Sequence, residues 1–229
     1  MLKSIFTQMS SISASLTLKL IGWENLDRHL LNTLNGEKSL ILVFSHTSYC
    51  DFLLMLLYYF SYYNHIKYLR TIVKPQVFDY LGPCLRRVGC IEATKVEDQN
   101  GGAVERITNT LKNEKKVLLL ISPKGTIIKR EWRSGYFFLA QNLSADLVAI
   151  GPDYERKKMC IGTPVSYTCG EPFVKEWLYN DLSKIVPLYP ECEMMPIRKH
   201  NKYNISIINY KPMIGIGFVC YLIYYLYNK

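Results

Sequence analysis

The stretch at residues 39–60, SLILVFSHTSYCDFLLMLLYYF, constrains the chain most, because an apolar run of strand length passes directly into an apolar run of helix length. Residues 40–44 are continuously apolar with a β-branched member, the pattern of a strand buried on both faces. Residues 52–60 are again apolar but too long for an ordinary strand, and they predict a buried helix. Between them, Ser48-Tyr49-Cys50-Asp51 has capping-box form. The Ser48 hydroxyl can accept from the N3 amide, and Asp51 is favoured in the positive first turn.

His46 and Asp51 stand in that turn, five positions apart. On one continuous helix they would point about 140° apart, so they meet only where the chain folds back between strand and helix. An Asp that holds one ring nitrogen of a His fixes its tautomer. The other nitrogen then serves as general base toward a hydroxyl, with no Ser or Cys nucleophile. The same two residues also suit a helix cap and an ordinary loop His, and the segment alone leaves both readings open.

The rest of the chain alternates. Residues 66–73 read as a strand, 77–88 as a short helix interrupted at Gly82-Pro83, 101–113 as an amphipathic helix and 117–121 as a second fully apolar strand. Residues 139–150 supply helix and strand once more, 171–185 a polar-faced helix and 203–208 a short strand. Strand-helix alternation predicts a single α/β domain with a mainly parallel or mixed sheet flanked by helices. With 229 residues, 49% of them hydrophobic, the chain can bury a sizeable core, and no Pro/Gly/Ser-rich linker divides it.

Three segments follow: an amphipathic helical segment at 1–35, the α/β domain at 36–210 and a hydrophobic membrane-associating segment at 211–229. Leu16, Leu18, Leu20, Ile21, Leu26, Leu30 and Leu31, with Trp23, form a mostly helical apolar pattern that suits a membrane interface or a helix covering the core. No signal peptide is expected at the N-terminus. Residues 213–227 carry no charge between Lys211 and Lys229, yet as a helix they span only about 22 Å against roughly 30 Å of hydrocarbon. Tyrosines at 221, 224, 225 and 227 favour an interfacial or re-entrant anchor, and a buried core helix is the alternative.

A net charge of +9 favours anionic partners: a phosphorylated substrate, coenzyme A or an acidic membrane surface. The basic residues are spread along the chain and no nucleic-acid-binding motif is present, so nucleic-acid binding is the weakest reading and no nucleic acid is expected as partner. Seven cysteines, an odd number without a C-x-x-C pair, indicate neither a zinc site nor a disulfide framework, and no metal is expected. A reducing compartment fits this usage.

The second apolar strand runs into Ser122-Pro123-Lys124-Gly125-Thr126, with Lys129, Arg130 and Arg133 beyond it. Backbone amides freed at a Gly turn, with cations beside them, make a phosphate cradle. A plain Pro-Gly turn with a solvated charge run is the other reading.

Taken in order, these pieces resemble the glycerolipid acyltransferase family, the group that includes 1-acylglycerol-3-phosphate acyltransferases. Ser45-His46-Thr47-Ser48-Tyr49-Cys50-Asp51 resembles its H-x-x-x-x-D motif, and Ser122-Pro123-Lys124-Gly125-Thr126 its P-E-G-T block. Trp132-Arg133-Ser134-Gly135-Tyr136-Phe137 resembles the K/R-x-G-aromatic segment that follows, and Gly89-Cys90-Ile91 through Lys95 the intervening G-x-I block ending in a basic residue. The likeness covers about residues 40 to 160. Lys124 stands where the family has Glu, Ile127 where it usually has Arg, Ser45 in place of a common Asn and Ala149 where Pro is usual.

The resemblance implies a glycerol-phosphate-acyltransferase-like fold and transfer of an acyl group from a thioester donor, acyl-coenzyme A, to a hydroxyl of a lysophospholipid or glycerol phosphate at a membrane surface. No cofactor is implied beyond the donor substrate. By position, His46 would be the general base and Asp51 its orienting partner, while Lys95, Lys124, Gly125, Thr126 and Arg133 would hold the acceptor. The charge at position 124 also motivates an alternative, a catalytically degenerate relative that still binds lipid or acyl-coenzyme A. The enzyme would be membrane-associated, its site facing a reducing cytoplasmic compartment.

Overall fold

The computed structural model describes residues 2–62, 66, 68–93, 102–128 and 131–193. Lys95, the strand expected at 203–208 and the apolar segment at 213–227 lie outside them.

The apolar runs form the centre of the sheet. Strand β1 (Leu40–Val43) lies between β4 (Leu118–Ile121) and β5 (Asp146–Asp153), parallel to both, and the order across the sheet is β3-β2-β4-β1-β5-β6. Strands β2 (Leu69–Val73) and β3 (Cys90–Glu92) extend the parallel part beyond β4, and β6 (Lys158–Ile161) closes the other edge antiparallel to β5. The sheet is therefore mixed, with its parallel strands in the middle.

Both faces are covered, which is why β1 and β4 are apolar at every position. Ile41, Val43, Leu119, Leu147 and Ala149 pack on one face with α5 (Gly102–Leu111), α6 (Gly135–Asn142) and α7 (Glu171–Leu182). Leu42, Leu118, Leu120 and Ile150 line a common apolar cavity on the other face, with Leu30 and Leu34 of α2 (Arg28–Asn35) and Met55 and Tyr58 of α3 (Tyr49–Ser61). Alternate residues of each strand thus go to opposite layers, as the period of two requires. Helix α1 (Leu2–Leu20) packs on α3, with Ala14 and Leu18 buried, and Tyr58 donates to Glu24 O at 2.6 Å. The N-terminal segment is in this way joined to the domain.

Two local expectations change. The strand predicted from residue 66 begins at Leu69. Helix α4 (Pro75–Arg87) runs unbroken through Gly82-Pro83 instead of stopping there. A residue before proline is normally pushed from helical geometry by a clash involving its own Cβ; Gly82 has none, so the turn survives. The chain leaves this helix through Gly89, at φ +81°, where a Cβ would stand 2.9 Å from Leu69 O. Only glycine fits both the dihedral and the space.

The topology creates the site. The chain leaves β1 through α3 on one face and leaves β4 through α6 on the other, so their exit loops diverge at the carboxyl edge between two adjacent strands. Such a divergence is where open α/β sheets bind ligands. The loop after β1 carries His46 and Asp51; the loop after β4 carries Lys124 to Thr126.

Candidate active site

Ser48 caps α3 with extended backbone and accepts from Cys50 N at 3.0 Å, and Asp51 answers from the first turn, completing the reciprocal cap. Asp51 Oδ2 accepts Thr47 N at 2.8 Å and Ser48 N at 2.9 Å. This fold-back brings His46 Nδ1 within 3.4 Å of the same oxygen, the outer edge of hydrogen bonding. Oδ1 accepts Ser48 Oγ at 3.2 Å and Tyr154 Oη at 2.7 Å. A carboxylate 1% exposed is thereby surrounded by donors, which is the condition for keeping a buried negative charge.

The His46 ring is partly open, with 22% of its side chain exposed. It tilts against Phe44 at 5.5 Å between ring centres. With Nδ1 turned to Asp51, a neutral ring carries its lone pair on Nε2, the atom that can take a proton from a hydroxyl. Tyr154 is packed edge-on by Trp23 at 5.3 Å. Burial first, and then the Asp51 carboxylate beside it, raise the Tyr154 phenol far above its ordinary pKa, so it donates at every working pH. Burial likewise raises the Cys50 thiol.

Across the edge, Gly125 N donates to Ser122 O at 3.0 Å to close a turn, with Gly125 at φ +63° and open space on its side-chain face. Arg133 N donates to Pro123 O at 3.2 Å. Gly125 and the Arg133 side chain are exposed, Thr126 is half-buried, and Thr126 Oγ1 accepts Ile128 N at 3.3 Å. Lys124 takes the opposite direction. Its ammonium turns inward, donates to Cys192 O at 3.0 Å and stands 3.9 Å from Glu193 Oε2. Burial lowers its pKa, opposed by Glu193 and more weakly by Asp51.

The structure therefore joins His46 to Asp51 and brings Lys124 to the same interior, while Gly125, Thr126 and Arg133 line the outer turn. Two residues escape a reading of the sequence. Tyr154 stands one position beyond β5, and the carboxyl end of an apolar strand is the one clue to it. Glu193 follows a short 3-10 turn (Pro190–Cys192), far from either motif, and no local pattern marks it.

This is the fold and the strand-end arrangement of an acyltransferase. The chain belongs to the Acyltransferase family, whose model matches residues 18–153, more than half of its length. The matched region holds the His46–Asp51 turn and the Lys124 turn, and it stops one residue short of Tyr154. No curated protein matches the chain.

Proposed function

We propose that the protein moves a fatty acyl group from acyl-coenzyme A to a hydroxyl of a lysophospholipid or glycerol phosphate, at a membrane surface, in phospholipid synthesis or remodelling. The observation that carries this reading is the pairing of a partly exposed His46 with a buried, multiply hydrogen-bonded Asp51. The acceptor hydroxyl gives its proton to His46 Nε2 while its oxygen attacks the thioester carbonyl. Collapse of the adduct breaks the C–S bond and forms the ester, and the imidazolium returns the proton to the departing thiolate. Asp51 stabilises the imidazolium, and no acyl-enzyme forms. Proton removal of this kind contributes roughly 10²- to 10⁴-fold, and holding donor and acceptor together adds to it.

The outward turn at Gly125 and Thr126, with the exposed Arg133, supports binding of an acceptor phosphate there. With its ammonium inward, Lys124 contributes to that site through the fold and not by contact. Membrane association draws on α1, where Ile12, Leu16 and Leu20 are 61%, 54% and 86% exposed at four-residue spacing, one apolar ridge that lipid can cover. Among the described residues no helix is long and apolar enough to cross a membrane. A second reading, a lipid- or acyl-coenzyme-A-binding relative without turnover, rests on the inward Lys124.

Mass spectrometry of reactions containing acyl-coenzyme A and glycerol 3-phosphate, lysophosphatidic acid or lysophosphatidylcholine tests the proposal. The acylated acceptor should appear in step with free coenzyme A. Coenzyme A released equally without any acceptor would mark a thioesterase instead.

A further inference from the structure

Lys124 has a side chain 0% exposed, and a cation so enclosed persists only among negative groups. It donates to Cys192 O and faces Glu193 at 3.9 Å. Glu193 and Asp51 line one cavity, together with Ser45 and Thr47. Thr47 is 1% exposed, and its Oγ1 has no hydrogen-bond partner among the described residues, so the cavity has a polar wall beside the two carboxylates. Interactions between charges in such an interior are weakly screened.

We infer that Lys124 is a positioning residue for the His46–Asp51 pair: coupled to Glu193, it sets the net charge behind Asp51 and thereby the pH at which the pair becomes competent. This rests on reading His46 and Asp51 as the working pair. Lys124 and Glu193 are neutral as a unit. Removing the lysine charge leaves one uncompensated carboxylate near Asp51, which favours protons on the pair. Removing the glutamate charge leaves one uncompensated ammonium, which disfavours them. Removing both restores neutrality.

The other groups facing Asp51 are His46 in its own turn, Cys50 on α3 and Tyr154 beyond β5, and Cys192 adjoins Lys124. The raised Cys50 thiol and Tyr154 phenol stay protonated through neutral pH. Neither changes charge while the pair titrates.

The test follows the His46 ring by NMR of histidine-labelled full-length protein, with its resonance assigned by loss in His46→Ala. Lys124→Met should raise the apparent pKa of the pair by about one unit, the size expected for one buried charge nearby. Glu193→Gln should lower it, and the double variant should return close to wild type. The acidic limb of acyl transfer should move in the same order. A lysine that only held the fold would cost stability without opposite shifts in the two single variants. Shifts of the same sign, or no shift in either, overturn the inference. Glu193→Gln is nearly isosteric, so if Lys124→Met fails to fold, the absence of a downward shift in Glu193→Gln alone is sufficient refutation. Opposite shifts in a protein that transfers no acyl group would leave this inference standing and remove the proposed function.

Discussion

Tyr154 donates its phenolic hydrogen to Asp51 Oδ1 at 2.7 Å, joining the strand that ends the family-matched region to the first turn of α3. The tyrosine is itself held edge-on by Trp23, which follows α1. The N-terminal segment therefore supports the carboxylate through two side chains.

Tyr154→Phe removes one donor to an ionised, buried oxygen. Hydrogen bonds to charged groups contribute about 1.5–3 kcal/mol, and one that favours the carboxylate also favours ionisation. We expect turnover to fall roughly 10- to 100-fold and the acidic limb of the pH–rate profile to move to higher pH. An unchanged limb in steady-state profiles would show that the hydroxyl does not act on the pair.

Asp51→Asn separates catalysis from capping. One amide oxygen can still accept Thr47 N and Ser48 N, so the cap persists at a cost of about 1–3 kcal/mol. The amide cannot stabilise an imidazolium. Turnover should therefore drop roughly 10²- to 10⁴-fold while circular dichroism stays native. Nearly full activity in the Asn variant would make Asp51 a cap only.

Lys124→Glu places the residue type of the family pattern into an interior that already holds Asp51 and Glu193. Breaking a buried ion pair costs about 3–5 kcal/mol, and three carboxylates repel. Their folded pKa values must lie above the unfolded ones, so the penalty is full above the folded pKa and fades as pH falls below about 5. Urea unfolding at two pH values should show the variant less unstable in acid. A variant more active than wild type would contradict this charge assignment and favour the degenerate reading.

The apolar ridge of α1 is tested with vesicles. Burying one leucine in lipid contributes about 1.5–3 kcal/mol, so Leu16→Glu with Leu20→Glu should reduce co-flotation with anionic vesicles roughly tenfold or more. Deleting residues 212–229 should release a further share. Equal partitioning of both variants and wild type would remove the membrane reading.

Sequence and structure agree where one local force dominates. The runs at β1 and β4 are apolar at every position because helices cover both sheet faces, and that is visible residue by residue. The Ser48–Asp51 cap is equally local, and it predicts the fold-back that lets His46 approach. Helix α4 reads as interrupted because the penalty of Pro83 is conspicuous while the relief offered by Gly82 depends on geometry. Lys124 misleads for a related reason. A lysine in a Pro-Gly turn beside Lys129, Arg130 and Arg133 looks solvated, and only the return of the chain at Cys192 and Glu193 shows that it points inward. Tyr154 and Glu193 reach the interior around Asp51 through tertiary packing, which no periodicity encodes.

The central claim is that His46 removes the acceptor proton. The most direct measurement compares wild type with His46→Ala in the transfer of radiolabelled acyl groups from acyl-coenzyme A to a panel of lysophospholipids and glycerol 3-phosphate. The account predicts labelled product with at least one acceptor in wild type and a loss of roughly 10²- to 10⁴-fold in the variant, with unchanged thermal stability because the ring is a partly exposed loop side chain. Equal rates for the two proteins with every acceptor would contradict it.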